Sequence, residues 1–245
     1  MEARHGRLEV RLSGSGGQGI LLAATLLADL CLQSGKAVVQ TQSYGPEARG
    51  GASKAEVVIS DISIDYPEVV RPDVTLCLSQ PAFDKYGPDA PAASLLCYDS
   101  GLVEPAAIPG VELRGAPFTQ LAGDELGKTV VANIVALSSL AATSIFGDPG
   151  ALRDVIRRRV PARFLELNLK ALELGLRTEL RLPDWTEPQR SFEAYPGSVP
   201  VAADGHPCKT DGCWRPASPR HPPVAGISAV VHWGGGAQSG AAAPE

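Results

Sequence analysis

Alternating apolar and polar residues mark the first strand of the chain. Between residues 8 and 12, leucine and valine alternate with glutamate and arginine and lead into a glycine-rich stretch, a pattern typical of a half-buried β-strand. Residues 19–35 then carry apolar side chains at helical spacing and end on a glycine, a natural helix terminus. Residues 36–45 predict a second strand that closes on a Gly-Pro pair. This spacing predicts a Rossmann-like βαβ crossover and hence a parallel sheet.

Strands and helices continue to mix further along the chain. Four more strands are predicted over residues 53–61, 74–80, 93–100 and 111–118, and the second of these is almost wholly apolar, as in a strand covered on both faces. Three helices are predicted over residues 128–147, 152–160 and 162–177, of which the last is strongly amphipathic. Elements in this order predict a three-layer α/β domain with a mostly parallel sheet.

The composition changes after about residue 180. Residues 181–245 are rich in proline and glycine, contain all three tryptophans and show no sustained periodicity apart from one possible strand at 227–233. We therefore expect two regions: an α/β domain over 1–180 and an irregular extension over 181–245. The extension is expected to be partly disordered or to dock on a partner.

Overall composition excludes several classes of protein. The chain has 245 residues, 44% of them hydrophobic, and a net charge of -5, so neither nucleic acid nor an anionic membrane surface is an expected partner. The most apolar stretch, residues 20–32, is too short to span a bilayer and contains an aspartate. The N-terminus is too polar for a signal peptide. Cys31, Cys77 and Cys97 lie in apolar stretches, which favours free, buried thiols and a cytoplasmic location.

A glycine loop joins the first strand to the first helix. Gly14, Gly16 and Gly19 match the spacing of a dinucleotide fingerprint, and a helix N-terminus attracts a phosphate or carboxylate. The second strand, however, ends with Gln40 and Gln42 instead of the acid that holds a ribose. A Walker motif requires a lysine directly after the glycines, and this loop has none. Two interpretations stay open: a phosphate-bearing ligand other than a dinucleotide, or tight packing of helix on strand.

A second glycine-bearing stretch, residues 42–53, follows the second strand. It combines a Gly-Pro turn, Glu47, Arg49 and a Gly-Gly pair. In open α/β sheets the carboxyl edge of the strands is where ligands bind, and the first glycine loop lies at the same edge. Arg49 has the geometry to bind a phosphate or carboxylate in a forked manner. The alternative is a surface loop in which Glu47 and Arg49 are only solvated.

These two stretches together, GSGGQGILLA and QSYGPEARGG, resemble the gamma subunit of the 2-oxoacid:ferredoxin oxidoreductases, or the equivalent domain of the single-chain enzymes. Two later stretches agree, KTVVANIVALSSL and FLELNLKALELG. The likeness covers residues 7 to about 178. The sequence of the second stretch most resembles that of the 2-oxoglutarate branch of the family.

The resemblance implies an activity carried out by a complex. Such enzymes convert a 2-oxoacid and coenzyme A to an acyl-CoA, carbon dioxide and reduced ferredoxin, using thiamine diphosphate, Mg²⁺ and iron–sulfur clusters. The family holds these cofactors mainly on other subunits, and this chain has no CxxCxxC run. It is therefore expected to be a non-catalytic gamma subunit with alpha and beta partners, a ferredoxin-like delta partner in some cases, and ferredoxin as the acceptor.

Candidate contact residues for coenzyme A or a neighbouring subunit come from the two glycine-bearing stretches. Coenzyme A suits the first loop because its pyrophosphate needs no ribose-binding acid. Lys128 is a further candidate, and Asn133, inside an apolar helix, is expected to be a hydrogen-bonding core residue. The predicted contact residues are Gly14, Gly16, Gly17, Gln18, Gly19, Tyr44, Gly45, Glu47, Arg49, Gly50 and Gly51.

The sequence also raises three other interpretations. The extension places His206, Cys208, Cys213 and His221 close together, but their spacing is loose for tetrahedral zinc, so no metal is expected there. A free-standing coenzyme A- or nucleotide-binding module would differ from a gamma subunit by being stable alone. A flavin- or nicotinamide-dependent reductase is disfavoured by the missing acid after the second strand.

Overall fold

A computed structural model describes residues 6–43, 51–143 and 146–180, and the backbone of 227–232. The strands are β1 (Arg7–Ser15), β2 (Ala37–Ser43), β3 (Ala52–Ser60), β4 (Val74–Cys77), β5 (Leu95–Asp99), β6 (Glu112–Ala116) and β7 (Ile227–His232). The helices are α1 (Ile20–Gln33), α2 (Gln80–Tyr86), α3 (Phe118–Leu126), α4 (Ala132–Ala141), α5 (Ala151–Arg159) and α6 (Ala162–Arg177), with a 3₁₀ turn at Thr129–Val131.

All seven strands form one sheet in the order β6-β5-β4-β1-β3-β2-β7. β4 pairs with β1 in parallel, and β5 and β6 continue in the same direction. β3 lies antiparallel between β1 and β2, which therefore run in the same direction, and β7 is antiparallel to β2. Five of the seven described strands thus share one direction, while three of the six neighbouring pairs are parallel and three are antiparallel. The α/β class is therefore confirmed, and the sheet is mixed.

The relation between β1 and β2 differs from a simple βαβ unit. The two strands share a direction, as a crossover through α1 requires, but β3 is inserted between them and pairs with both. Alternation within a strand fixes which side chains face each layer and leaves the neighbouring strand undetermined. The insertion has a functional consequence, because the start of β3 then lies beside the carboxyl ends of β1 and β2.

Helix boundaries differ from the pattern in three places. The helices α2 and α3 were not predicted, because both are short and both begin beside a proline. The helix predicted over 128–147 is shorter: it starts with a 3₁₀ turn and α4 ends at Ala141. Past that end the N–H and the hydroxyl of Thr143 both donate to Leu140 O, a tightened last turn that ends the helix. α5 and α6 match their predicted ranges within a residue.

The core lies between the sheet and a group of helices on one of its faces. α1 packs on that face, and α4, whose residues are all buried, packs between α1 and α6. α2 covers the opposite face over β1 and β4. The largest fully buried side chains include Leu12, Leu26, Leu76, Leu95, Ile134 and Leu137. No helix within the described ranges is both long and apolar enough to cross a bilayer.

Close packing of α4 on α6 depends on Gly175. A Cβ at this position would lie 2.3 Å from the backbone oxygen of Val135 and 2.5 Å from Ser138 Cβ. We expect Gly175→Ala to lower the free energy of unfolding by about 1–3 kcal/mol, since α6 would have to move away from α4. Urea unfolding followed by circular dichroism measures the loss.

Gly123 provides the matched control for this substitution. It lies inside α3, and a Cβ there would approach only Thr129 Cγ2, at 3.4 Å. Gly123→Ala should therefore be neutral or stabilise by up to about 1 kcal/mol through helix propensity. Equal effects of the two alanines would contradict the proposed close contact between α4 and α6.

Candidate functional site

The glycine loop and the second glycine-bearing stretch meet at one edge of the sheet. β1 ends at Ser15, and its partner there is Ala52, the first residue of β3. Gly51 precedes Ala52, so the end of the second stretch adjoins the first loop. Ser53 Oγ also donates to the carbonyl of Gly14 at 3.1 Å. Sequence reasoning did not single out Ser53, because the contact depends on the insertion of β3.

Within the first loop, Gln18 serves an internal role. Its Oε1 accepts the N–H of Ser15 at 2.6 Å, and its Nε2 donates to Leu78 O, just beyond β4, at 2.8 Å. Gly14 leaves room for this side chain, since a Cβ there would lie 2.6 Å from Gln18 Oε1. Gln18 therefore fastens the loop to the neighbouring strand, which fixes the loop's shape.

The end of the loop is locked by α4. Gly19 caps α1 in the left-handed region with φ 69°, which favours glycine. Asn133 Nδ2 donates to Gly19 O at 3.0 Å, and a Cβ on Gly19 would lie 2.5 Å from the same nitrogen. Asn133 is buried, so its expected role as a hydrogen-bonding core residue agrees with this contact.

Only the tip of the loop is open. Gly16 and Gly17 are exposed, and no atom lies within 4 Å of a Cβ built on either residue. Behind the tip, the first turn of α1 carries no acidic residue and no side-chain cap, and the first N–H groups of an α-helix have no intrahelical partner. The accessible part of the loop can accept an anion through backbone donors.

Exposed apolar and basic groups flank this edge. Leu21, in the first turn of α1, is 38% exposed, and Val130, in the 3₁₀ turn just before α4, is 64% exposed. Lys128, which precedes that turn, is also exposed. Asn133, in the first turn of α4 and three residues after Val130, donates to Gly19 O, so the 3₁₀ turn that leads into α4 lies on the side of the loop. Val130 and Leu21 were not candidates on sequence grounds, since single apolar residues give no such signal.

Several predicted contact residues lie outside the described ranges. They are Tyr44, Gly45, Glu47, Arg49 and Gly50 in the second stretch. The weak metal candidates of the extension, His206, Cys208, Cys213 and His221, also lie outside the described ranges. Gln40, by contrast, is described: it is buried, and its Nε2 donates to Thr25 Oγ1 on α1 at 3.3 Å. This side chain faces the helix layer, where it has no access to a ribose.

Buried charge lies directly behind the loop. Arg11 Nε and Lys54 Nζ both contact Glu56 Oε1, at 2.7 and 2.8 Å. The guanidinium of Arg11 also lies 5.6 Å from the centre of the Tyr86 ring, and burial raises the pKa of that tyrosine. Tyr86 donates to Ala52 O at 3.3 Å. This cluster supports the start of β3, and with it Gly51 at the edge.

Three cysteines are free and buried, as expected. Burial raises the pKa of Cys31 to about 12, of Cys77 to about 11 and of Cys97 to about 12. Thiols of this kind are poor metal ligands and poor nucleophiles near neutral pH. No group of three or more His, Cys, Asp or Glu side chains in the described part of the chain is placed to hold a metal ion. The three buried thiols therefore do not fit an iron–sulfur cluster.

The fold described above is that of solved oxidoreductase subunits. Residues 9–178 match the pyruvate ferredoxin/flavodoxin oxidoreductase family, and the chain belongs to it. It is 45% identical over 172 residues to the 2-oxoglutarate synthase subunit KorC of Methanocaldococcus jannaschii, covering 69% of this chain and 92% of that protein. It is 41% identical over 169 residues to the subunit of the same name from Archaeoglobus fulgidus, covering 69% and 86%.

A solved structure agrees with these relatives. The gamma subunit of a keto/oxoacid ferredoxin oxidoreductase from Geobacter sulfurreducens superposes with a TM-score of 0.63 at 40% identity, covering 70% of this chain and 95% of that one. The resemblance to gamma subunits is therefore confirmed, and the chain is a subunit of an oxidoreductase. The matched region ends near residue 178, so the extension lies outside it.

Proposed function

We propose that this chain is the gamma-type subunit of a cytoplasmic 2-oxoglutarate:ferredoxin oxidoreductase. The observation that carries the proposal is the 45% and 41% identity to two proteins that are both named 2-oxoglutarate synthase subunits. The complex would oxidise 2-oxoglutarate with coenzyme A and pass the electrons to ferredoxin. Thiamine diphosphate, Mg²⁺ and the iron–sulfur clusters would then belong to the alpha, beta or ferredoxin-like delta partners.

Residues 14–19 of the glycine loop and the adjoining Gly51 are called the glycine edge. Within that complex, its proposed role is to contact coenzyme A. The exposed tip at Gly16 and Gly17 offers backbone N–H groups to a pyrophosphate, and Leu21 and Val130 offer apolar surface to the uncharged part of the ligand. Arg49 is proposed to add charge from the second stretch. Gln18, Gly19 and Asn133 would act indirectly, by fixing the shape of the loop.

Reconstitution tests the substrate assignment. The chain would be co-expressed with its alpha and beta partners under anaerobic conditions, and ferredoxin reduction would be measured with 2-oxoglutarate, pyruvate and 2-oxoisovalerate. The proposal expects coenzyme A-dependent activity with kcat/KM highest for 2-oxoglutarate. A higher value for another 2-oxoacid would overturn the substrate. A chain that purified alone and bound coenzyme A without partners would overturn the subunit role.

The contact at the loop tip has its own variant pair. Gly16→Asp places a negative charge where a Cβ has free space, so folding should be unaffected. We expect KM for coenzyme A to rise about tenfold or more, because the carboxylate would repel a pyrophosphate. KM for the 2-oxoacid should not change. Gly16→Asn is the isosteric neutral control and should leave both constants within about twofold. If the two variants had equal KM values for coenzyme A, the proposal that coenzyme A binds at the loop would be overturned.

A further inference from the structure

A long ordered loop lies at the other edge of the sheet. Residues 61–73 connect β3 to β4 without a helix or strand of their own. Arg7, which begins β1, pairs with Ser60, which ends β3, so this loop lies at the opposite edge from the glycine loop. Loops of this length inside compact domains are uncommon and are usually functional.

Two charged residues of β1 hold this loop in place. Glu9 has a side chain with no exposed surface, and its Oε2 accepts the N–H groups of Val70 and Arg71, both at 2.8 Å. Arg7 donates to Glu9 Oε1 at 2.9 Å, and its two terminal nitrogens donate to the carbonyls of Tyr66 and Glu68, at 2.9 and 3.0 Å. Charge-assisted bonds of this kind are stronger than neutral ones.

The loop presents large apolar side chains to solvent. Ile62 is 46% exposed, Tyr66 is 40% exposed and Val70 is 48% exposed. They make up three of the seven exposed large hydrophobic residues in the described part of the chain. Since the backbone beside Tyr66 and Val70 is bound directly to Arg7 and Glu9, the side chains are held on a rigid support. A loop needed only as a connection would be shorter and polar.

Two exposed carboxylates lie among the apolar residues of the loop, whereas its Asp61 is paired with Lys36. Asp65 and Glu68 are both exposed, and Glu68 Oε2 accepts the hydroxyl of Tyr66 at 2.8 Å. The sole basic side chain of the loop is Arg71. A surface that fits this loop is therefore apolar at its centre and basic at its rim, by charge complementarity.

We propose that residues 61–73 dock the chain onto an apolar, basic-rimmed surface of a partner subunit of the same oxidoreductase. This inference rests on the proposed function, because it takes the chain to be part of a complex. It adds that the two edges of the sheet have different roles. The glycine edge is left free for the ligand, while the opposite edge, supported by the buried Glu9, attaches the chain to its partner.

The test compares apolar truncation at the loop with truncation elsewhere. Tyr66→Ser combined with Val70→Ser removes apolar area without adding charge, and Leu102→Ser changes a residue that is 45% exposed at another place on the surface. Each full-length variant would be titrated with the purified partner subunits, and the dissociation constant would be measured by native mass spectrometry. Circular dichroism would verify that every variant is folded.

The expected result is a weakening of about tenfold or more for the double variant and less than about twofold for Leu102→Ser. Asp65→Lys should also weaken association, and added salt should reduce the difference between Asp65→Lys and the wild type. Unchanged affinity of the double variant would overturn the docking role. If the double variant lost self-association of the isolated chain but kept its affinity for the partner subunits, the choice of partner would be overturned. A wild-type chain that bound no subunit would overturn the proposed function itself.

Discussion

Gly19→Ala is expected to lower the free energy of unfolding by about 2–5 kcal/mol. The residue has φ 69°, a conformation that costs a residue with a Cβ about 1–2 kcal/mol. In addition, the new Cβ would lie 2.5 Å from Asn133 Nδ2, and relieving such an overlap in a packed site costs about 1–3 kcal/mol. Asn133 would have to leave Gly19 O, which removes a partly buried hydrogen bond. Urea unfolding curves measure the sum.

The loop offers two controls that separate strain from overlap. Gly17 has φ 90° but open space around a Cβ, so Gly17→Ala should show only backbone strain, about 1–2 kcal/mol. Gly16 has open space and no positive φ, and Gly16→Ala should stay within about 0.5 kcal/mol of the wild type. The expected order of loss is Gly19, then Gly17, then Gly16. If Gly19→Ala cost no more than Gly17→Ala, the contact with Asn133 would not be a constraint on the loop.

Sequence reasoning found the glycine loop but could not assign roles within it. Spacing identified Gly14, Gly16 and Gly19 as a group, yet their surroundings differ in the structure. Gly14 lies against Gln18, Gly19 lies against Asn133, and Gly16 faces open space. Gln18 contacts residue 78 and Asn133 contacts residue 19, across 60 and 114 positions of the chain. No local pattern contains such contacts. The one available signal for Asn133 was a polar residue inside an apolar helix, for which a hydrogen-bonding role was expected; its side chain donates to Gly19 O.

The fold was more predictable than the topology. Hydrophobic patterning indicated all seven described strands, α1 and both C-terminal helices, because burial of one face leaves a period of two in a strand and of 3.6 in a helix. It did not indicate that β3 enters between β1 and β2, since pairing depends on partners far away in the chain. That insertion brings Ser53 to Gly14 and Gly51 to the loop. The meeting of the two motifs at one edge was predicted, but the position of β3 between β1 and β2 was not.

Removing one member of the buried ion pair behind the loop should be strongly destabilising. Arg11 and Glu56 face each other across β1 and β3, and their side chains are 8% and 9% exposed. We expect Glu56→Gln to cost about 3–5 kcal/mol, because it leaves the buried Arg11 without a full counter-charge. Arg11→Met should cost less, since Lys54 remains bonded to Glu56 at 2.8 Å. Chemical unfolding of both variants measures this asymmetry.

Replacing both members of the pair provides the decisive comparison. In the double variant Arg11→Met and Glu56→Leu, no buried charge of the pair is left, and Lys54, whose side chain is 25% exposed, can extend into water. Apolar replacement of a buried pair is often neutral, so the double variant should be more stable than Glu56→Gln alone. Asp154→Asn, which breaks an exposed pair with Arg157, should cost at most about 1 kcal/mol. A loss as small as this for Glu56→Gln would mean that water reaches Arg11, and the cluster could not then hold the start of β3 beside the glycine loop.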